Sequence, residues 1–342
     1  MKRTTTSNQN SHVDDDPVIK NDGEFTIING VKHKLPKHRK LRVENGEIYL
    51  DDRQWFPEFM SFADETMVDQ SFNVDKGYIG ENPVEYELVS FSGKLSIVQG
   101  DVFNIYLNLS VPSDMNLNLK QIATRSKFDL SYADEDIHFN ETIITIPPSL
   151  VKLVITNSFA MSMMVDQIRN VEFQYKASLG GEIVFFKCDY VKISSNISNA
   201  GLTVVECNNV FLGYSCTSAQ FYINDSSDVF GVVTSTSGKI VASRTRFNNI
   251  MSFKSDNGEM DIKDCTSLVL NTTTRTGNVH VNRHEGGAIN SATVSGTTKF
   301  SNNTKMVSMR VTSDNGGLCG TGTEMPLFIT KSGVNKFQLS KF

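Results

Sequence analysis

A glycine returns at intervals of 19 or 20 residues through the second half of the chain, and this period constrains the fold more than any other feature. Most of these glycines open the pattern G-x-Φ-x-Φ, where Φ is apolar, as Gly258 does with Met260 and Ile262. One interval of 37 residues is a double period, in which Ser218-Ala219 stand where a glycine is expected. The series comprises Gly181, Gly201, Gly238, Gly258, Gly277, Gly296 and Gly316. A fixed period of this length is typical of repeat architectures.

The repeat predicts an all-β fold, a single-stranded β-solenoid with rungs of 19–20 residues. Each repeat holds two short alternating strands, separated by a turn that we expect to need glycine's backbone freedom. One repeat cannot bury its apolar positions alone, whereas stacked repeats enclose a continuous core. About nine coils of this length fit between residues 150 and 324. A β-sandwich or a propeller would also show alternation with glycine, but not so regular a period.

The same motif occurs once before the regular series, at Gly93-Lys94-Leu95-Ser96-Ile97, which indicates that the array begins earlier in a less regular form. Two Asn-Gly pairs, Asn29-Gly30 and Asn45-Gly46, lie between alternating apolar residues and predict hairpins. The predicted organisation is a disordered tail at 1–24, a small mixed, β-rich N-terminal lobe at 25–149 with a short helix near 56–70, the solenoid at 150–324 and a C-terminal cap at 325–342.

Composition and charge narrow the classes of function. A hydrophobic fraction of 39% is sufficient for a core, and a net charge of −5 argues against general attraction to nucleic acid or acidic lipid. Residues 32–42 nevertheless carry six Lys or Arg and two His. Residues 44–75 then carry nine Asp or Glu and one Arg, which offsets that basic field. A nucleic-acid-associated protein that binds through 32–42 is therefore kept as an alternative.

The cysteines and the N-terminal residues bear on the compartment. The chain has five cysteines, an odd number, and its first residues lack the apolar stretch of a secretory signal. We therefore expect free thiols and a cytoplasmic or virion-associated location, with no membrane span. Cys188 and Cys207 lie one period apart, so their side chains should stack on neighbouring coils.

Part of the sequence resembles a known family. The stretch FSGKLSIVQGDVFNIYLNLSVPSDMNLNLK, with its Val111-Pro112 step, precedes repeated elements such as Thr236-Ser237-Gly238 and Thr276-Gly277. This arrangement resembles the putative-adhesin β-solenoid domains of bacterial envelope and phage proteins. The resemblance covers about residues 25–55 and 86–324 and implies a solenoid fold with a structural or adhesin-like role.

The strongest candidate for a binding site is a pair of phenylalanines. Alternation along residues 210–214 directs Phe211 outward, and Phe230 occupies the equivalent place one period later. The two rings should form an outward aromatic step that a helical segment, a second subunit or a ligand covers. We expect the partner to be a protein subunit or a glycan, with homo-oligomers allowed. A register slip of one residue would instead turn both rings into the core.

Candidate catalytic or metal-binding groups are weaker. A polysaccharide-acting β-helix enzyme would place several carboxylates on adjacent coils, and Asp189, Asn208, Asp225 and Asp264 are spaced near that pattern. Such side chains more often cap turns. The cluster of His280, Arg283, His284 and Glu285 is rich in ligand-type residues without an evident common focus. The sequence therefore predicts a non-enzymatic protein without cofactor or metal, and a lyase or hydrolase is the alternative.

Overall fold

The structure is a computed structural model that describes residues 67–91, 93–112, 122–131, 137–157, 161–177 and 181–321, with backbone strands between 19 and 54 and between 327 and 340. The chain divides into two units, residues 1–68 with 112–114 and residues 69–111 with 115–342.

In the first unit, the described strands between residues 19 and 54 form two small antiparallel sheets, with strand orders β1-β2-β3 and β4-β5-β6. Their strands are β1 (Ile19–Asp22), β2 (Phe25–Ile28), β3 (Val31–His33), β4 (Leu41–Glu44), β5 (Glu47–Leu50) and β6 (Arg53–Gln54). Strands β2 and β3 flank Asn29-Gly30, and β4 and β5 flank Asn45-Gly46, which confirms both predicted hairpins. Residues 1–18 of the predicted tail lie outside the described residues, while 19–22 form β1.

The part of the chain before the regular repeats contributes four strands and a short helix beside the first repeat-like pair, β8 and β9. Its elements are β7 (Met67–Val74), α1 (Lys76–Ile79), β8 (Glu85–Val89), β9 (Gly93–Gln99), β10 (Asn104–Pro112), β11 (Lys127–Asp129) and β12 (His138–Ile146). The helix predicted near 56–70 falls mostly outside the described residues, and residues 67–70 belong to β7. The one described helix, α1, begins after Asp75, whose carboxylate caps the backbone N–H of Gly77 at 2.8 Å.

The regular repeats contribute the remaining strands. They are β13 (Lys152–Asn157), β14 (Met161–Asp166), β15 (Glu172–Ala177), β16 (Gly181–Phe186), β17 (Asp189–Ile197), β18 (Ala200–Val205), β19 (Asn208–Cys216), β20 (Phe221–Asn224), β21 (Val229–Ser235), β22 (Ile240–Ser243), β23 (Arg246–Ser255), β24 (Met260–Lys263), β25 (Thr266–Thr274), β26 (Val279–Asn282), β27 (Ala288–Thr293), β28 (Thr298–Ser301), β29 (Ser308–Ser313), β30 (Leu318–Thr321), β31 (Leu327–Ser332) and β32 (Phe337–Ser340).

These strands form two parallel ladders, which confirms the predicted all-β solenoid. Even-numbered strands from β14 to β32 lie in a 14-stranded sheet, here the first sheet, and odd-numbered strands from β13 to β31 lie in a 12-stranded sheet, the second sheet. Each coil thus places one strand in each sheet. Between Lys152 and Thr321, strands β13 to β30 make nine such coils.

The early copy of the motif belongs to the same array. Strand β8 pairs with β13 and strand β9 pairs with β14, both in parallel, so residues 85–99 occupy the position of a coil. The chain then leaves this path and returns at β13. In between, β12 and β10 extend the first sheet beyond β9, and β11 extends the second sheet beyond β8. These added strands pair with the hydrogen-bonding edges that the first coil would otherwise expose.

The glycine series needs two corrections. Strand β18 pairs with β16 so that Ala200, not Gly201, lies opposite Gly181, and Ala219 lies in line with Gly238 on the coils that follow. The column is therefore evenly spaced, because alanine fills two of its places. Backbone freedom is also not the reason for glycine, since none of the column glycines from 181 to 316 has a positive φ.

Close stacking is the reason instead. A Cβ on Gly258 would lie 2.0 Å from the carbonyl oxygen of Gly238, and one on Gly277 would lie 2.0 Å from that of Gly258. Neither approach is physically allowed. For the five column glycines from Gly238 to Gly316, the residue three places earlier adds a second contact, because its hydroxyl accepts the glycine N–H. The hydroxyls are those of Ser235, Ser255, Thr274, Thr293 and Ser313, with distances of 2.7–3.0 Å.

The C-terminal strands carry one testable prediction. Strands β31 and β32 pair in parallel with β29 and β30, and the role of 325–342 as a cap stays a prediction. Deleting residues 325–342 removes both pairings and exposes the edges of β29 and β30. We expect the shortened protein to form oligomers or aggregate, since open parallel edges accept further strands. Light scattering after size exclusion measures this, and a monomer with unchanged melting would contradict the capping role.

Candidate functional site

One corner of the coils, where the first sheet passes to the second, carries a regular ladder of polar residues, here called the charged corner. Its residues adopt a positive φ, the left-handed conformation that closes the turn. They are Gln167, Lys187, Glu206, Asp225, Arg244, Asp264, Arg283 and Asn302. Stacking brings opposite charges together on several neighbouring coils, so the corner is a row of ion pairs.

The carboxylates of this corner are engaged by arginine. Arg244 donates to Asp225 through Nε at 2.5 Å and through Nη2 at 2.8 Å. Arg283 binds Asp264 in the same two-point manner, with Nη2 2.6 Å from Oδ2. These hydrogen bonds hold the pKa of Asp225 and of Asp264 below the usual value for aspartate. A carboxyl group that stays ionised in this way is a poor general acid.

Asp189 and Asn208 lie two residues after the charged-corner residues Lys187 and Glu206 and form a separate stack. The Asp189 carboxylate accepts from the side-chain amides of Asn208 and Asn209, each at 3.1 Å, and Ser227 donates to Asn208 at 2.5 Å. These contacts link successive coils. The four residues at 189, 208, 225 and 264 thus fall into two different columns, and each is occupied by neighbouring side chains.

The histidine cluster does not converge. His280 is exposed on the outer face of the first sheet, whereas His284 is fully buried in the corner. Arg283 is paired with Asp264, and Glu285 is paired with Lys305. Within the described parts of the chain, no group of three or more His, Cys, Asp or Glu residues is arranged to hold a metal ion.

Behind the charged corner runs a column of buried side chains, here called the inner corner column. It consists of Ile168, Cys188, Cys207, Ser226, Thr245, Cys265, His284 and Asn303. Several of these side chains bond the backbone two residues earlier in their own coil, as the hydroxyl of Thr245 does with Ser243 O at 2.8 Å. The predicted stacking of Cys188 on Cys207 is present in this column.

His284 is the exceptional member of the inner corner column. Its Nε2 lies 2.9 Å from the hydroxyl of Ser267, while Nδ1 is buried without a hydrogen-bond partner. The backbone N–H of His284 donates to the side chain of Asn303 at 2.8 Å. Burial lowers the pKa of His284 to about 4, so the imidazole is neutral at neutral pH.

Phe211 and Phe230 lie side by side on the outer face of the second sheet. They are register partners in β19 and β21, and their ring centroids are 5.3 Å apart in an edge-to-face arrangement. Their exposed fractions are 36% and 37%, so more than a third of each residue's surface contacts solvent. The inward neighbours Val210, Leu212 and Val229 are fully buried, which places the rings outside the core.

Two aliphatic residues enlarge this aromatic step into an apolar patch. Val232 follows Phe230 by two residues on the same face, and Ile250 lies on the next coil beside a register irregularity of β23. Both are exposed. We call Phe211, Phe230, Val232 and Ile250 the outer patch. Sequence analysis did not single out Ile250, because the irregularity in β23 interrupts the strand alternation that would have located it.

Small and polar side chains border the outer patch. Gly213 lies opposite Val232 in the neighbouring strand, and a Cβ there would be 3.9 Å from the Phe211 ring. On the preceding coil Lys192 lies opposite Phe211 and makes an ion pair of 3.0 Å with Glu172. The apolar patch thus ends at a paired charge. The binding role of Phe211 and Phe230 stays a prediction. In this fold both rings are accessible to a partner.

The basic segment at 32–42 is another predicted site. Its backbone enters the strands Val31–His33 and Leu41–Glu44, and its side chains lie outside the described residues. The nucleic-acid alternative therefore stays a prediction.

Comparisons with known proteins yield distant structural resemblances. No family model matches the sequence, and no curated protein matches it. Among solved structures, a crystal structure of a putative adhesin from Bacteroides fragilis matches 75% of this chain and 97% of its own, with 12% identity and a TM-score of 0.29. Its printed name is that of the class of protein that the sequence motifs resemble. A match at this identity and TM-score carries no information about activity or partner.

No helix in the described ranges is both long enough and apolar enough to cross a membrane.

Proposed function

We propose that this chain is a non-enzymatic, adhesin-like binding protein that presents the outer face of its second sheet to a partner. The observation that supports this proposal best is the outer patch. Its two rings contact each other, its four apolar side chains stand on three neighbouring parallel strands, and each is exposed. Full burial of one such side chain is worth about 1.5–3 kcal/mol, so a partner that covers the patch gains substantial free energy.

A protein is the better candidate for this partner than a glycan. Val232 and Ile250 extend the aromatic pair with aliphatic surface, which supplies no hydrogen-bonding group for sugar hydroxyls. Aromatic side chains flanked by aliphatic ones are typical of the centres of protein interfaces. A cytoplasmic or virion-associated location belongs to the same proposal, and five free thiols are typical of proteins in a reducing compartment.

The alternative of a polysaccharide-acting enzyme has less support. Hydrolysis of a glycosidic bond needs one carboxyl group that can donate a proton and a second that acts as base or nucleophile. The corner carboxylates Asp225 and Asp264 are instead bound by Arg244 and Arg283. The ion pairs explain why these residues are acidic without invoking catalysis, so a structural and binding role accounts for more of the observations.

The proposal predicts that Phe211→Ser together with Phe230→Ser abolishes partner binding. We expect the affinity to fall at least about tenfold, since both rings leave the contact. The measurement is a pull-down with quantification of the captured protein, run beside a glycan array with the same samples. Stability should change little, because the rings lie outside the core.

Tyr222→Ser provides the matched control. Tyr222 is also an aromatic residue with 38% exposure, but it stands on the first sheet. We expect this variant to bind as the parent does. A large loss of stability in the double variant would mean that the two rings are core contacts. Unchanged capture by the double variant would place the binding surface elsewhere, and a glycan signal that depends on both rings would reassign the partner class.

A further inference from the structure

Two cysteines of the inner corner column lie directly above one another. Cys188 and Cys207 are separated by 19 residues, and the residues on either side pair in register, Phe186 with Val205 and Asp189 with Asn208. Neighbouring strands lie about 4.8 Å apart, which falls within the Cα separation that disulfides span. The positions are therefore compatible with a covalent link between successive coils.

The contacts of the two sulfurs show how each side chain is oriented. The backbone N–H of Cys188 donates to the Sγ of Cys207 at 3.4 Å, so the Cys207 sulfur points toward the coil that contains Cys188. The Sγ of Cys188 lies 3.4 Å from Phe186 O, and that of Cys207 lies 3.3 Å from Val205 O. Each sulfur also contacts the preceding coil, Cys188 at Val165 O and Cys207 at Phe185 O, both at 3.5 Å, so the Cys188 side chain must rotate toward Cys207 before the bond forms. Each residue is 1% exposed.

The other cysteines have no such partner. The neighbours of Cys265 in the inner corner column are Thr245 and His284. Cys216 is buried where its Sγ lies 3.4 Å from Ala219 O, and Cys319 stands in β30 at an outward-facing position. Pairing of thiols across one coil is therefore specific to Cys188 and Cys207 among the five.

We propose that Cys188 and Cys207 form a redox site, in which a disulfide joins two successive coils when a small-molecule disulfide such as oxidised glutathione is present. A thiolate of the pair attacks the small disulfide and expels one small thiol. The second protein thiol then attacks the mixed disulfide, expels the other small thiol and completes the S–S bond. The protein loses two protons and two electrons, and the small disulfide is reduced to two thiols.

Cys207 is the better first nucleophile. Hydrogen bonds from Cys188 lower the pKa of the Cys207 thiol, because they stabilise the negative charge on its sulfur. Burial keeps the reagent out of the closed corner, so exchange proceeds through transient opening of this turn. The site would therefore oxidise slowly in the native protein and remain oxidised once the corner has closed over it.

The experiment treats the full chain with oxidised glutathione, removes the reagent, unfolds the protein in denaturant and alkylates the remaining thiols. The reduced protein should show all five cysteines alkylated. We expect the oxidised protein to show two fewer, a mass lower by two hydrogens before alkylation, and a single cross-linked pair of peptides that contains Cys188 and Cys207. The midpoint of thermal unfolding should rise by roughly 5 °C, because the link lowers the conformational entropy of the unfolded chain.

Two serine variants separate this site from general thiol oxidation. Cys207→Ser should abolish the link, and the column tolerates a hydroxyl because Ser226 holds the next place. Cys265→Ser is the matched control and should oxidise as the parent does. Five alkylated thiols after treatment, a glutathione adduct in place of the link, a link between other cysteines, or a lowered melting midpoint in the linked protein would each overturn the proposal.

Discussion

Replacing Gly258 with alanine should lower the free energy of unfolding by about 3 kcal/mol. The new Cβ would lie 2.0 Å from the carbonyl oxygen of Gly238 and 2.8 Å from the hydroxyl of Ser255. Neither atom can yield freely, because the carbonyl belongs to a coil in the middle of the stack and the hydroxyl accepts the N–H of Gly258 at 2.7 Å. The coils must separate locally, and chemical denaturation followed by circular dichroism measures the loss.

Gly201→Ala is the control for this prediction. Gly201 belongs to the same repeat motif in the sequence but stands one place outside the column, and a Cβ there would be 3.4 Å from Gln220 O. That distance is ordinary contact, so we expect a change within about 0.5 kcal/mol. Equal losses in the two variants would show that the close stacking of the coils is not what requires glycine.

Acidification from about pH 6.5 to about pH 4 should destabilise the protein through His284. The pKa of this imidazole is about 4 in the folded protein because burial disfavours the charged form, and it is near 6.5 in an unfolded chain. Between these values the unfolded chain binds a proton that the folded protein does not. Stability is therefore fully present above pH 6.5 and falls as the pH drops, by about 3 kcal/mol in total.

The variant His284→Asn isolates this contribution from the titration of carboxylates. Asparagine already occupies the next place of the inner corner column, at Asn303, so the substitution suits the site. We expect the difference in unfolding free energy between parent and variant to change with pH in the window from 4 to 6.5 and to be constant above it. His280→Asn, on the exposed face of the first sheet, should leave the profile as it is. Parallel profiles for parent and His284→Asn would contradict the assignment.

Much of the fold could be predicted because the residue patterns that specify it recur at fixed intervals along the sequence. Alternating residues such as Met260 and Ile262 identify strands, and the glycine period identifies how often the chain returns to the same corner. Both signals are local or repeat at a fixed interval, so they are visible without a structure. The outward place of Phe211 and Phe230 followed from the same alternation, whereas Ile250 did not, because the irregularity in β23 shifts the register there.

Residue types and their spacing predict the class of fold, the length of a coil and which face of each regular strand is buried. The folded structure is needed to see what occupies the space between coils. It placed Ala200 in the glycine column, and it showed that Gly258 is required by the approach of Gly238 O and not by a left-handed backbone. It also brought His284 into the core beside Ser267. Distances between stacked coils depend on the register of residues far apart in the chain, which no local pattern of residue types encodes.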